Sequence, residues 1–149
     1  MTTETLDFAD QYRRFKQLPP GAVAPMRRVA EPDALRDTPG LYRLFPGARP
    51  TDQEVRAAFI EPWCQQPSGG KALGALCADN IAEARVIQIA RAEFPDDLIG
   101  LRRLVIQLQP TLGWLEVAPW VWYWGPRMKR RFVEDYYIAL HKLDKGAKP

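Results

Sequence analysis

Apolar residues recur at helical spacing in one segment after another of this chain, and proline-bearing breaks separate the segments. Short helices packed through one face are therefore the fold within reach. The clearest segment follows Gly125-Pro126, where Met128, Phe132, Tyr136 and Leu140 return every four residues. Leu6, Ala9, Tyr12 and Phe15 define a first helix that LPPG should end, and Leu98, Leu101, Val105 and Leu108 define another over residues 96–109. A short second helix is expected over 26–30, before the Glu31-Pro32-Asp33 break. Thr38-Pro39 has the form of an N-cap followed by a first-turn proline, and Thr51 with Glu54 that of a capping box whose helix Pro62 should stop.

QQPSGGK, residues 65–71, is expected to be a turn or flexible loop, followed by a short helix over 73–77 and an Asn80-capped helix through Arg91. PWVWYWG, residues 119–125, is too uniformly aromatic to show a period. Its propensity alone would suit a strand, but we assign it to a helix. The tail KLDKGAKP should fray. The expectation is an all-α protein of two small packed helical bundles, an N-terminal one over 1–94 and a C-terminal one over 95–149.

The chain is long enough, at 149 residues with 46% hydrophobic content, to bury a core. It has no apolar run of about 18 residues, and MTTETLDFAD is too polar and acidic for a signal peptide, so we expect a cytoplasmic protein without membrane contact. Cys64 and Cys77 lack the paired clusters of a zinc site and should be idle buried thiols. His141, the one histidine, should be exposed near a helix end. No phosphate-cradling glycine loop, HExxH, GxSxG or CxxC occurs, so neither a catalytic residue, a metal nor a cofactor is expected. Asp96-Asp97 should face a helix dipole, and Glu134-Asp135 should pair with the basic run before it. Trp114, Trp120, Trp122 and Trp124 sit among aliphatic residues and should pack in a core or interface rather than stack on bases.

Net charge is only +3, but its distribution is uneven. Basic residues number 8 against 6 acidic in residues 1–50, 4 against 8 in 51–100, and 9 against 4 in 101–149. A basic face built from segments remote in sequence would follow from this. Arg127, Arg130, Arg131 and Glu134 fall at i, i+3, i+4 and i+7, which is one helix face. Arg103 lies on a polar line with Gly100 and Gln107, while Arg102 sits at the rim of the apolar stripe, and Arg85, Gln88 and Arg91 form a further polar strip. Several basic faces without a base-reading motif suit contact with nucleic-acid backbone.

The ordered motifs resemble a known family. RRVAEPDALRD at 27–37, PGLYRL at 39–44, KALGAL after Gly70, ARVIQIARA at 84–92, LRRL at 101–104, YWG at 123–125 and Glu134-Asp135 are similar to the CasB-type small subunit of the type I-E CRISPR surveillance complex, Cascade. The likeness runs from Tyr12 to about Leu140, with a shorter 64–71 loop and a more basic Arg130-Arg131 than is usual. It implies a two-part all-α protein that does no chemistry. Its implied partners are single-stranded and duplex DNA with guide RNA as a further candidate, the repeated backbone subunit, the large subunit and a second copy of itself. Together they would hold an R-loop open while guide pairing supplies specificity. Carried over from the family's motifs, the expected contacts are Arg27, Arg28, Arg102, Arg103, Arg127 and Lys129. Arg130 and Arg131 join them from the helical face, with Arg85 and Arg91 as weaker candidates. Arg36 and Arg43 should be structural, and Glu31, Asp33, Arg36 and Asp37 should set the turn that aims Arg27 and Arg28. Two other readings stand beside this one: a purely structural protein–protein adaptor, and a metal-dependent nuclease using Asp96, Asp97, Glu134 and Asp135.

Overall fold

Helix starts follow local chemistry closely. The computed structural model describes residues 7–147, with side chains through residue 143; Leu6 and the last two residues of the tail lie outside that span. Asp7 caps α1 (Phe8–Lys16) by accepting from the Asp10 amide at 2.9 Å. Thr51 and Glu54 close the expected capping box at the start of α4 (Asp52–Ile60), with bonds of 3.1 and 2.8 Å. Pro62 then ends the helix, and the chain tightens into a 3-10 segment, Glu61–Trp63.

The first departures come at prolines. LPPG ends α1 but also begins α2 (Pro20–Arg28), because Pro20 occupies a position whose amide has no partner within a helix. Of the residues expected to form a separate helix at 26–30, Met26, Arg27 and Arg28 are thus the carboxyl end of a longer one, and Val29 and Ala30 lie beyond it. After it runs a 3-10 segment, Pro32–Asp37. Thr38 precedes α3 (Pro39–Leu44) as expected, yet its hydroxyl donates to Leu35 O at 2.7 Å instead of capping the helix. Asn80 does not open a helix. It is the last residue of α5 (Leu73–Asn80), where its side-chain amide donates to Leu76 O at 2.9 Å, and α6 (Glu83–Arg91) starts three residues later. The remaining helices are α7 (Asp96–Leu108), α8 (Trp114–Trp122) and α9 (Pro126–Ala147), so the aromatic segment is helical through Trp122 and the tail stays helical to Ala147. Among the described residues there are nine α-helices, two 3-10 segments and no strand.

One continuous core joins these helices. α4 packs on α8, α5 and α6 pack on α9, and α6 packs on α7, so side-chain packing runs across residue 94. Trp114 is fully buried and donates to Phe8 O at 3.1 Å, tying α8 to the start of α1. Tyr136 donates to Ile81 O at 2.8 Å and fixes α9 to the end of α5, while Gly74 at the start of α5 leaves room for Asp135.

The 65–71 loop is anything but loose. Gln66 O and Pro67 O accept from the Trp114 and Leu115 amides at 3.0 and 2.8 Å, satisfying the amino end of α8. Glu116 in return accepts from Ser68 and from the Gly69 and Gly70 amides. Gly113 is required for this contact, since a Cβ there would run into Ser68 Cα and the Gly69 amide. Gly113→Ala should therefore cost about 1–3 kcal/mol through overpacking, whereas Gly21→Ala, which meets nothing within 4 Å, should leave stability near wild type or above. Equal melting midpoints for the Gly113 variant and wild type would contradict the close approach.

Glu61 is fully buried, and neither of its carboxylate oxygens meets a donor among the described residues. Burial pushes its pKa well above the ordinary range, against a smaller downward pull from Arg14. Its proton is held more tightly in the folded chain than in the unfolded one. The stability this group contributes is complete below the unfolded value of about 4.3 and is lost as pH rises through the folded value. Urea unfolding at several pH values should show stability falling by up to about 1.4 kcal/mol per pH unit above that point. Glu61→Gln should flatten the fall, and a variant that kept the wild-type slope would assign it to another group.

Candidate nucleic-acid interface

The basic residues divide by what their donors already hold. Arg27 lies in the last turn of α2, and its Nε and Nη2 both donate to Pro62 O, at 3.0 and 2.8 Å, while its guanidinium lies 5.8 Å from the Trp63 ring centroid. Arg102 donates to Val29 O at 2.6 Å and stacks 4.3 Å from the Phe59 centroid. Burial, and next Arg103, lower its pKa. Arg27 therefore ties α2 to the 3-10 segment after α4, and Arg102 ties α7 to the residue after α2. Their neighbours Arg28 and Arg103 are exposed and in no ion pair or hydrogen bond among the described residues. The RR pair and the LRRL motif each contain one residue that fastens the fold and one that is free.

Lys129 is also committed. Its ammonium lies 2.8 Å from Asp97 Oδ2 and donates to Ala92 O at 2.7 Å, and the two side chains of the pair are only 17% and 7% exposed. Trp124 donates to the same Asp97 oxygen at 3.1 Å, while the other oxygen accepts from the Leu98 amide at 2.8 Å. Asp97 thus does more than face the α7 dipole: it joins the starts of α7 and α9 to the end of α6.

The expected single face of α9 is split in two. Arg130 and Glu134 line a groove of about 760 Å³ against α6, together with Arg91. Arg131 turns the other way, with its guanidinium 5.8 Å from the Trp120 centroid, and Arg127 stands one turn before it, exposed. A second groove between α6 and α7 holds Arg85 and Arg103, with Arg85 bonded to Gln107. Glu134 and Asp135 enter no ion pair among the described residues, contrary to the expected pairing with the basic run: Asp135 packs against Gly74, and Glu134 lines the groove beside Arg130 without coming within ion-pair distance of it. Arg36 is structural, bound to Asp33 at 3.3 Å and Asp52 at 3.1 Å, which anchors the turn after Pro32. Arg43, expected to be structural too, is exposed and in no such pair. Glu31 and Asp37 make no side-chain bond there.

Two structural cations escaped sequence reasoning. Arg56 donates to Val121 O and Trp122 O at 2.9 and 2.6 Å, and Arg14 to Leu44 O at 3.0 Å. Only their positions inside apolar helix segments hinted at this. The cysteines are both buried, which pushes the Cys77 thiol up to about 12 and Cys64 upward as well, and His141 is exposed. No group of three or more His, Cys, Asp or Glu gathers as a metal site among the described residues, and no described helix is long and apolar enough to cross a membrane.

Asp97→Asn leaves the Lys129 ammonium buried without its counter-charge and should cost about 3 kcal/mol. The urea midpoint is expected to fall at constant m-value, and an unchanged midpoint would remove the pair from the fold's supports.

No family model matches the chain. The CRISPR system Cascade subunit CasB of Escherichia coli K12 is 31% identical to it, over 93% of this chain and 98% of that protein. A chain in the crystal structure of E. coli Cascade bound to a PAM-containing double-stranded DNA target superposes with a TM-score of 0.80 at 32% identity, covering 93% of this chain and 99% of its own. With 31% identity sustained over nearly the whole length of both chains, the chain belongs to the CasB family of CRISPR Cascade subunits.

Proposed function

We propose that the chain is a non-enzymatic subunit of a type I-E surveillance complex that holds an R-loop open by gripping nucleic-acid backbone without reading sequence. The observation that carries this is the set Arg28, Arg103, Arg127, Arg130 and Arg131. All five are exposed, and none is ion-paired among the described residues, in a fold that uses five other cations internally. Guanidinium groups left in water suit phosphates, which they neutralise with release of counterions. Arg85 and Arg91 flank them from α6. The displaced DNA strand and the target-strand region are the proposed ligands. The repeated backbone subunit, the large subunit and a second copy are the proposed neighbours, in the cytoplasm.

An adaptor role finds support in a different feature. Tyr137, Ile138 and Leu143 leave an exposed apolar stretch on α9, which would suit a protein neighbour. Tyr137 and Ile138 stand two turns beyond Arg130 and Arg131 on the same helix, so the two roles would use successive stretches of α9.

Anisotropy titrations of single-stranded and duplex DNA across salt concentrations test the backbone role. An Arg28→Ala, Arg103→Ala, Arg130→Ala variant should keep its helicity, and its log–log salt slope should fall by about 2–3. Arg102→Ala should instead lower stability. Affinity that is unaltered in the triple variant, or absent from the wild type at low salt, would leave the adaptor as the better reading.

A further inference from the structure

The corner between α8 and α9 presents aromatic rings and guanidinium groups side by side. Tyr123, at the end of α8, is 57% exposed, and no hydrogen bond holds its hydroxyl among the described residues. Trp120 lies three residues earlier and so on the same side of the helix. It is half-buried, with its ring 6.3 Å from Phe132 in an edge-on arrangement that fixes its plane. From α9, Arg131 sits by the Trp120 ring, and Arg127 lies on its side of α9, one turn nearer the α8–α9 turn.

The acids nearest in sequence are turned away from this corner. Glu116 turns to Ser68 and the glycine amides, Asp97 is buried against Lys129 and Trp124, Asp135 packs against Gly74, and Glu134 lines the groove beside α6. The corner is therefore positive and aromatic at once. Duplex backbone would use only its charge, because paired bases are stacked on one another. A single strand can use both, placing phosphates on the arginines and an unstacked base on a ring.

We propose that Tyr123, supported by Trp120, is a base-stacking platform for single-stranded DNA, with Arg127 and Arg131 holding the adjacent phosphates. This rests on the backbone-binding role proposed above and adds a contact that phosphate charge cannot supply.

Two labelled single strands of equal length, one with bases and one abasic, separate stacking from charge when titrated with the full-length protein. The base-bearing strand should bind about tenfold tighter, with the same salt slope. Tyr123→Ala should bring the two strands to equal affinity without altering the slope, and Tyr123→Phe should restore the difference. Arg127→Ala with Arg131→Ala should weaken both strands and reduce the slope. Circular dichroism checks the fold of each variant; if Tyr123→Ala unfolds, Tyr123→Leu, apolar but ringless, takes its place. Equal binding of the two strands by the wild type, or a ringless variant that keeps the preference, overturns the platform while leaving the backbone role intact. Failure to bind either strand at low salt overturns both.

Discussion

Each α-helix ends on carbonyl groups that its own backbone cannot satisfy, and a fold assembled from many short helices has many such ends to settle. Here remote cations settle them. Arg14 reaches the end of α3 at Leu44, Arg56 the end of α8 at Val121 and Trp122, Arg102 the residue after α2 at Val29, and Lys129 the residue after α6 at Ala92. Arg27 does the same for the 3-10 segment at Pro62. Positive charge at a carboxyl end also complements the helix dipole, so each contact is both a hydrogen bond and an electrostatic cap. Because every donor comes from a different element, each cap is also a tie between helices.

This arrangement decides which positive charges remain for a ligand. A cationic side chain that donates to a remote carbonyl and lies against a ring or a buried carboxylate is held in place, so Arg27, Arg102 and Lys129 serve to position their neighbours. Arg28 and Arg103 follow them directly in the chain and point outward. On α9 the buried Lys129–Asp97 pair fixes the rotation of the helix, which directs Arg130 toward α6 and Arg131 toward α8. Stability and the proposed binding thus draw on different members of the same basic runs.

Much of the helical content was legible from the chain. The Thr51–Glu54 box, the stop at Pro62, the long α7 and the four-residue rhythm of α9 all depend on contacts within about one turn. Misreadings arose where one residue type serves two local purposes. Proline can end one helix and open the next, as in LPPG, and asparagine can cap either end, as Asn80 shows. The glycine loop reads from sequence as a turn or flexible segment because its partners, the α8 amides and Glu116, lie more than forty residues away. The free roles of Arg28 and Arg103 could be expected from motif and periodicity, but the commitment of Arg27 and Lys129 could not.

By itself the sequence determined an all-α chain, its apolar faces, most helix starts and the pool of basic residues, since these follow from spacing and from neighbours within one turn. Only the tertiary structure decided which of those cations are spent on the fold and which are left for a partner. The cation-to-carbonyl contacts join residues 30 to 73 positions apart. An arginine that will cap a distant helix and one that will face solvent look alike until packing brings, or fails to bring, an unsatisfied carbonyl within reach.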